Sequence, residues 1–395
     1  MSVDAMSPRR PSSQFSRTSK SRSSSDFPSS SSAADPSTSY NKFSSSTSIS
    51  SRTSLSSLKF SLPENAHIYE FSDIRSATTN FLAKPFSSSS SSVSWKCTIR
   101  GREVIVFQRK LRCQIETSDL KKRLQLICRS HHASIIKLLG ASVSGNCIFL
   151  VYEFIKGGVN LSTCLRNPRN PNFTILSNWI SRMQIVDDLA HGLDYIHNFT
   201  SLDREFIHNF IKPSSIIITE ENNSFSAKIS HFGTTELTGE LRNKIEVRSE
   251  TKFEGTRGYM SPEFLNTGIS TQKSDVYAFG VVILELLSGE EVVKYRIDES
   301  SGWYEKISVI ETAREAVGDG GRLRKWVDRR LKDSFPVDVA ERMVRVGLEC
   351  VEEDPKKRPD MRWVTTRVSM LFLESKSWAE KMGVPVDFSV SFAPR

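Results

Sequence analysis

The segment 206–218, FIHNFIKPSSIII, carries the polar side chains His208, Lys212 and Ser215 within a largely apolar stretch. Transfer of a phosphoryl group is the chemistry to test against it. That reaction requires a cradle for the phosphates, cations or metal ions that neutralise their charge, and a carboxylate that orients the attacking hydroxyl. The segment offers Lys212 as a cation, but Phe210 can accept no proton. Asp203, which precedes the segment, is a nearby acid that could supply the required carboxylate.

The elements that must position these side chains change in character along the chain. Alternating apolar residues at 93–107 predict two strands joined at Gly101, and the apolar run 147–154 predicts another strand. Helices are predicted at 69–81 with Ser72 as N-cap, at 119–130, along the apolar stripe 180–196, and at 276–287 with Ser274 and Asp275 as cap. Strands followed by helices predict an α+β fold of two lobes.

Residues 1–62 differ from the rest of the chain in composition. Of these, 26 are Ser, and apolar periodicity is absent, which predicts a disordered arm. The arm contains eight Lys or Arg residues against three Asp, so +5 of the total charge of +9 lies there. This distribution argues against a nucleic-acid interface on a folded surface. The arm is interpreted as a phosphorylatable tether, a solvated linker or a weak contact to an acidic partner or membrane.

The cysteines and the apolar runs bear on the compartment. The six cysteines form no C-x-x-C pair, so we expect reduced, mostly buried thiols and an intracellular compartment. No apolar run reaches the roughly 20 residues that span a bilayer. A signal peptide is not predicted, and residue 2 is Ser rather than the Gly that myristoylation needs. We therefore expect a cytoplasmic protein without a transmembrane segment.

Eight motifs follow one another in a characteristic order. They are ATTNF (77–81), HHASIIKLLG (131–140), LVYEF (150–154), the segment 206–218, KISHFG (228–233), GTRGYMSPE (255–263), SDVYAFGV (274–281) and DPKKRPDM (354–361). Together they resemble the protein kinase fold, and within it the plant receptor-like kinases, over about 69–377. The resemblance implies a small β-rich lobe at 63–155, a larger helical lobe at 156–378 and a tail at 379–395.

Several positions that stabilise this fold match the resemblance. Glu263 and Arg358 would form the ion pair that fixes the end of the activation segment to the helical lobe, and Asp275 would brace the catalytic loop. An apolar stack between the lobes would contain Ile127, Leu138, His208 and Phe232. The resemblance therefore implies a kinase frame.

The glycines of the phosphate loop do not match. Their absent Cβ atoms would let main-chain amides approach the phosphates. In this chain the corresponding residues are Phe86, Ser88 and Ser91. The preorganised loop is thus expected to be absent, although serine hydroxyls could still contact an anion.

The strand that should carry a small Ala and a phosphate-binding Lys has Ile105 and Phe107 instead. Strand side chains alternate, so these two should point to the same side, toward a nucleotide. We expect them to fill part of the adenine and phosphate slots. The missing phosphate-binding cation could be supplied instead by a basic residue nearby in the sequence, Lys96, Arg109 or Lys110. Basic residues near strand ends are usually solvated, however.

The remaining chemical positions also depart from the family pattern. Arg123 stands where the resemblance places the acid that pairs with the missing Lys. Phe210 replaces the general base, while Ser215 and His231 replace the metal ligands; Lys212 is retained. Mg²⁺ prefers hard oxygen ligands, and an isolated His more often has a structural role. No metal and no cofactor are therefore expected.

The favoured hypothesis is a pseudokinase, a non-catalytic interaction or regulatory module in receptor-like kinase signalling. Its expected partners are proteins, especially active receptor-like kinases, which could bring it to the inner face of the plasma membrane; no nucleic acid is expected. One alternative is a Ser/Thr kinase with residual or unconventional activity, which would need a displaced carboxylate such as Asp203. Another is a conformational switch that binds ATP without transferring phosphate.

Overall fold

The computed structural model describes most of the two predicted lobes. The described residues are 66–89, 92–113, 115–166, 175–200, 206–221, 224–240, 256–297, 303–318 and 321–383. The predicted arm, Ser91, Asp203 and the tail beyond residue 383 lie outside them. Both lobes belong to one compact unit of the chain, and they confirm the predicted α+β kinase-like fold.

The N-terminal lobe is built on one mixed sheet. Its elements are β1 (His67–Ile68), α1 (Phe71–Ala77), β2 (Ser87–Ser88), β3 (Val93–Ile99), β4 (Arg102–Lys110), α2 (Thr117–Arg129), β5 (Leu138–Ser144) and β6 (Cys147–Glu153). In space the strands follow the order β1, β5, β6, β4, β3, β2. Only the pairing of β1 with β5 is parallel within this described sheet.

The β3–β4 hairpin sets the orientation of the side chains on β4. Arg100 and Gly101 form its two-residue turn with φ of +50° and +78°, as a type I′ turn requires. Gly adopts this left-handed backbone without steric cost. Since strand side chains alternate, Val104 and Val106 point into a buried cluster beneath α1. The alternate positions of β4 face the other side of the sheet, toward the C-terminal lobe.

The C-terminal lobe is mostly helical. Its elements are β7 (Val159–Asn160), α3 (Leu161–Leu165), α4 (Trp179–Asn198), β8 (Ile216–Glu221), β9 (Ser224–Ile229), α5 (Thr234–Thr238), α6 (Pro262–Thr267), α7 (Gln272–Ser288), β10 (Val293–Ile297), β11 (Tyr304–Ser308), α8 (Val309–Gly318), α9 (Leu323–Trp326), α10 (Val337–Cys350) and α11 (Met361–Met382). Helix α7 is buried nearly all round, which explains its continuous apolar sequence. It packs against α10, and α4 packs against α11.

Two predicted N-caps are wrong, and the helices involved begin a few residues from the predicted positions. Helix α1 begins after Glu70, and Ser72 lies inside its first turn rather than at the N-cap. Helix α7 is capped by Thr271, whose main-chain amide donates to the Ser274 hydroxyl at 3.1 Å in a capping box. Because Thr271 supplies the cap, the carboxylate of Asp275 remains available to the segment 206–218, called the catalytic-loop segment below.

Within the residues that the structure describes, no helix combines enough length with enough apolar character to cross a membrane. The cysteines are free, and three of them, Cys128, Cys164 and Cys350, are buried.

Candidate functional site in the cleft between the lobes

A cavity of about 610 Å³ lies between the two lobes. Ile105 and Phe107 of β4 line it on the N-terminal side, and the segment 209–215 and His231 line it on the C-terminal side. Small-molecule sites commonly have volumes of about 300–1,000 Å³. The two apolar side chains thus leave space for a ligand beside them.

Asp275 holds the catalytic-loop segment from below. Its two carboxylate oxygens accept hydrogen bonds from the main-chain amides of His208 and Asn209, each at 2.7 Å. The Nε2 atom of His197 lies 3.0 Å from the same carboxylate. Asn209 has a φ of +64°, and its side-chain oxygen accepts from the Ser270 hydroxyl at 2.8 Å. These contacts fix a sharply turned loop, and the residue that follows Asn209 faces the cavity.

That following residue is Phe210. The guanidinium carbon of Arg109 lies 4.9 Å from the centroid of its ring, and the ring of His231 lies 6.0 Å away. Its main-chain amide donates to Nδ1 of His208 at 3.3 Å. An aromatic face toward a guanidinium is a favourable cation–π arrangement. The side chain at this position therefore binds a cation but can neither accept a proton nor coordinate a metal ion.

His231 lies at the base of the cleft in a left-handed backbone conformation, with a φ of +66°. Its ring packs edge-on against Phe107, with centroids 4.6 Å apart. Burial and the nearby positive charge of Arg109 hold the pKa of His231 well below its usual value of 6.5, so the imidazole is neutral. Its Nδ1 atom is buried and has no hydrogen-bond partner among the described residues.

Ser215 is almost fully buried, with 1% of its surface exposed, and it lines the same cavity. Its main-chain carbonyl accepts from both the amide and the hydroxyl of Ser230, at 2.9 and 2.7 Å. Its own hydroxyl has no hydrogen-bond partner in the part of the chain that the structure describes. Ser215 is therefore held firmly by its main chain while its hydroxyl remains available.

Lys212 contacts the segment that begins at Thr256. Its ammonium donates to the Thr256 hydroxyl at 2.7 Å. Burial lowers the pKa of Lys212, and the charge of Arg109 lowers it further. The side chain that the sequence offers as a cation therefore lines the cavity.

Arg109 is the cation that the sequence interpretation underestimated. The expectation that it is solvated is wrong, because only 8% of its surface is exposed and it lines the cavity. It lies two residues beyond Phe107 on β4 and so shares its face. Lys96 instead pairs with Glu103 at 2.8 Å, and Lys110 is exposed. The alternation of β4 was the signal that could have identified Arg109.

Arg123 of α2 has a charged partner in the C-terminal lobe. Its guanidinium forms an ion pair with the carboxylate of Glu236 and donates to the main-chain carbonyl of the same residue at 3.0 Å. Glu236 belongs to α5, which follows the KISHFG motif directly. Nothing in the order or spacing of the sequence motifs indicated this partner. The ion pair connects α2 of the N-terminal lobe with α5 of the C-terminal lobe.

Further hydrogen bonds fix the short helix α5 in the same place. The Thr235 hydroxyl donates to the carbonyl of His208 at 2.7 Å, and the Tyr152 hydroxyl donates to the carbonyl of Phe232 at 2.7 Å. The side chains of Ile127, Leu138 and Phe232 lie in one buried cluster. His208 is buried beside it and donates from Nε2 to the carbonyl of Ser230 at 2.9 Å. The lobes are thus joined by both apolar and polar contacts.

The ion pair of Glu263 and Arg358 lies farther from the cavity. The two guanidinium nitrogens donate to the two carboxylate oxygens at 2.8 Å each, a bidentate geometry. Burial acts to raise the pKa of Glu263, but the hydrogen bonds from Arg358 and Ser261 outweigh it and lower the pKa. This pair connects helix α6 to the segment that precedes α11.

Two of the three residues expected at the phosphate loop, Phe86 and Ser88, lie among the described residues. Phe86 is 55% exposed and packs edge-on against Phe154, with centroids 6.2 Å apart. Ser88 pairs with Val93 in the short β2–β3 ladder. Ser91 lies outside the described residues.

The fold implies Mg²⁺, and the residues present do not fit it. Ser215 and His231, the two residues at the expected metal-binding positions, both line the cavity and offer a hydroxyl and a neutral imidazole. Hard divalent cations bind carboxylate and carbonyl oxygens in preference to either. Across the described ranges, no cluster of three or more His, Cys, Asp or Glu side chains could hold a metal ion.

Comparison with known proteins places these observations in a family. Residues 94–368 match the model of the family described as protein tyrosine and serine/threonine kinase. LysM domain receptor-like kinase 3 of Arabidopsis thaliana is 32% identical over 323 residues, which cover 80% of this chain and 48% of the relative. The probable serine/threonine-protein kinase CST of Arabidopsis thaliana is 30% identical, covering 76% of this chain and 70% of the relative.

Chitin elicitor receptor kinase 1 of Arabidopsis thaliana is 34% identical over 255 residues, 65% of this chain and 39% of the relative. This chain therefore spans about half or less of the length of the receptor-like relatives it matches. Among solved structures, the pseudokinase domain of BIR2, described as an immune regulator of the RLK/Pelle family, has a TM-score of 0.60 at 22% identity. The match covers 85% of this chain and 99% of that chain, and it shows the shared fold.

Proposed function

This chain belongs to the protein tyrosine and serine/threonine kinase family, and from that premise we propose that it is a pseudokinase, a member that binds other proteins without transferring phosphate. The observation that carries the proposal is Phe210. Its ring lies at the position of the general base and contacts Arg109 and His231 instead of presenting a carboxylate. Loss of general-base help alone typically lowers a rate by about 10²–10⁴.

The metal positions support the same proposal. Phosphoryl transfer depends on metal and cationic stabilisation of charge as well as on the base. Ser215 and His231 do not suit Mg²⁺, and the hydroxyl and the imidazole Nδ1 are not hydrogen-bonded to any acid in the described chain. The effects of lost catalytic groups are not additive, but among the described residues of the cleft no group takes the place of the general base.

The partners that suit such a protein are other kinases of its own group. The similar relatives are named as receptor-like kinases of plants, and regulation by a kinase-shaped partner needs no chemistry from that partner. We propose that this chain binds active receptor-like kinases at the cytoplasmic face of the membrane in which they lie. The Ser-rich segment 1–62 would supply sites for phosphorylation.

A second candidate is a conformational switch that binds a nucleotide without transferring phosphate. The volume of the cleft favours it, because about 610 Å³ remains beside Ile105 and Phe107. Arg109 and Lys212 supply positive charge at its inner end. This candidate shares the lack of catalysis with the first and differs in having a ligand.

An assay of phosphate transfer tests the proposal. The purified full chain is incubated with radiolabelled ATP, Mg²⁺ or Mn²⁺ and a generic basic protein substrate, beside a mock preparation and an active kinase of the same family. We expect no incorporation above the mock preparation. Incorporation that disappears in Asp203→Asn or Lys212→Ala would instead establish an unconventional kinase.

A further inference from the structure

The β10–β11 hairpin presents an exposed face of apolar and aromatic side chains. Its ladder sets Tyr295 opposite Lys306 and Ile297 opposite Tyr304. Directly opposed residues of an antiparallel ladder point to the same side, so Tyr295, Ile297 and Tyr304 share one face. These three side chains are 63%, 55% and 73% exposed, and Trp303, which directly precedes β11, is 78% exposed. Large apolar side chains that are grouped on a surface indicate an interaction site.

The outer edge of β10 is open in the part of the chain that the structure describes. There β10 pairs only with β11, so the hairpin is a two-stranded sheet. Its base is fixed, because the amide of Val309, the first residue of α8, donates to the carbonyl of Val292 at 3.1 Å. The unpaired main-chain groups of an edge strand can pair with a further strand. A third strand with an apolar face would also stabilise the hairpin.

A segment with the sequence pattern of a strand follows the last helix. Gly383 caps α11 with a φ of +65°. Residues 384–392 come next in the chain and lie outside the described residues; their sequence is VPVDFSVSF. Val or Phe occupies every second position from Val384 to Phe392, and such strict alternation is typical of a strand with one buried face. Pro385 has no N–H to donate, which suits an outer strand and not a central one.

The end of α11 and the start of the hairpin are both connected to the first turn of α4. Trp179, the first residue of α4, donates from Nε1 to the hydroxyl of Ser375 in the last part of α11 at 2.9 Å. Arg182, one turn further along α4, donates to the carbonyl of Leu286 in the last turn of α7, and β10 begins a few residues later. An extended chain of nine residues spans roughly 30 Å, which is about the diameter of a small domain. Segment 384–392 is therefore long enough to reach the hairpin of its own molecule.

The charges of the two elements are complementary. Asp387 is the only charged residue of segment 384–392, and it lies between apolar positions, on the opposite face of the predicted strand. Lys294 lies likewise on the face of β10 opposite to the exposed apolar side chains; it contacts Glu290, and its side chain is half-exposed. When the apolar faces are aligned, Asp387 and Lys294 are on the same side. Two copies of β10 would instead bring their lysines together, and an edge lysine is a common protection against such self-pairing.

We propose that segment 384–392 docks on the open edge of β10 in its own molecule, as a third strand of the β10–β11 hairpin. Its Val and Phe side chains continue the face formed by Tyr295, Ile297 and Tyr304. Main-chain hydrogen bonds and the burial of apolar surface stabilise the contact. Covalent attachment gives such a segment an effective concentration of about the mM range, which favours the hairpin of the same molecule over that of another.

This inference is independent of the proposed lack of catalysis. The hairpin lies outside the lining of the cleft cavity, and docking of a strand on its edge makes no statement about phosphate transfer. Either proposal can therefore fail without affecting the other.

Hydrogen–deuterium exchange of the full chain, measured by mass spectrometry of its peptides, tests the docking. We expect slow exchange of main-chain amides within segment 384–392 and within β10. A chain truncated after Gly383 should exchange its β10 amides about tenfold faster or more, because the added hydrogen bonds are lost. The amides of the buried helix α7 should be unchanged. Unprotected exchange of segment 384–392 in the full chain, or β10 exchange that truncation does not alter, would overturn the proposal.

Point variants locate the contact without removing the segment, and they carry the test if the truncated chain does not fold. Phe388→Asp places a charge on the apolar face and should remove the protection of both the segment and β10. Ser389→Asp, the matched control, adds the same charge on the other face and should retain that protection. Lys294→Glu should weaken the docking, and Asp387→Lys in the same chain should restore it. Equal effects of Phe388→Asp and Ser389→Asp would contradict the assigned faces.

The oligomeric state identifies the molecule that supplies the segment. Size-exclusion chromatography with light scattering, over a range of protein concentrations, is run beside the exchange measurement on the same samples. We expect a monomer in which segment 384–392 is protected. Protection that appears only as dimers form would show that the segment pairs with a second copy, which would overturn docking within one molecule.

Discussion

Phe210 has a different chemical role from the carboxylate that its position would hold in an active kinase. Its ring lies against a guanidinium and an imidazole, so it stabilises a charged side chain through its π face. The loop around it is nonetheless held in a kinase-like turn, because Asp275 binds two consecutive amides. Shape and chemistry are therefore supplied by different residues of the same loop.

Replacing Phe210 by Asp should not create a kinase. The positions of Phe107, Ser215 and His231 would still lack the phosphate-binding cation and the metal ligands. We also expect a loss of about 1–3 kcal/mol in the free energy of unfolding, because a charged group would replace a packed ring. Radiolabelled ATP incorporation and urea unfolding measure both effects, with Phe210→Leu as the control. Measurable transfer by the Asp variant would mean that the nucleotide and metal positions are more complete than we infer.

His231 should make the stability of the protein depend on pH. Its folded pKa lies well below the ordinary value of 6.5, mainly because of burial. As the pH falls below about 6.5 the unfolded state therefore binds a proton before the folded state does, and stability decreases. Urea unfolding at about pH 7.5 and about pH 5.5 should show this decrease, and His231→Gln should reduce it. The exposed His191→Gln is the control; an unchanged slope in His231→Gln would contradict the assignment.

At the scale of elements, an ion pair holds α2 and α5 together, and its α2 member, Arg123, has the opposite charge to the acid that the family pattern implies at that position. Arg123 provides the positive charge and Glu236 the negative charge, and both side chains are mostly buried. Helix α5 is also bonded to the loop through Thr235 and to β6 through Tyr152 by way of Phe232. The short helix therefore connects three parts of the cleft.

The Arg123–Glu236 pair should contribute measurably to stability. Arg123→Glu should lower the free energy of unfolding by about 1–2 kcal/mol, as expected for a partly buried pair that becomes repulsive. The double variant Arg123→Glu, Glu236→Arg should recover much of that loss. Chemical denaturation of the single and double variants forms a double-mutant cycle. A double variant no more stable than Arg123→Glu would show that the two side chains do not interact.

The contrast between Arg109 and Glu236 shows which site residues the sequence could identify. The two-residue period of a strand places Arg109 on the same face as Phe107, so the position of Arg109 in the cleft is predictable from the sequence. Its burial is not predictable in the same way, because basic residues near strand ends are usually solvated. Glu236 lies 113 residues from Arg123 in the sequence, and the two side chains meet only because α2 and α5 are neighbours in the folded chain. The order of eight motifs along the chain was enough to predict the bilobal fold. The N-cap of α7 was not predicted correctly, because Thr271, Ser274 and Asp275 all have side chains that can cap a helix and the hydrogen bonds of the folded chain decide among them.

At the scale of the whole molecule, the frame of the kinase family is retained around an altered cleft. The long helices α4, α7, α10 and α11 form the core of the C-terminal lobe. The bidentate pair of Glu263 and Arg358 then connects the segment after the activation loop to this core. The kinase-like frame is therefore held by a polar contact as well as by the apolar core.

Removal of the Arg358 charge should weaken this connection. Arg358→Met leaves Glu263 partly buried without its bidentate partner, and we expect a loss of about 3 kcal/mol in the free energy of unfolding. Differential scanning calorimetry would show a lower Tm, and Arg362→Met, a basic residue in the first turn of α11, serves as the control. Equal effects of the two substitutions would contradict a specific role for the ion pair.

The exchange of charges around the cleft also limits how single substitutions could return this chain to the usual family pattern. Phe107→Lys alone would add a third cation beside Arg109 and Lys212. Arg123→Glu alone would set two carboxylates against each other at Glu236. Each of these two reversals is unfavourable unless neighbouring residues change with it. The altered cleft therefore resists a return to the family pattern by single substitutions, as in a mutational ratchet.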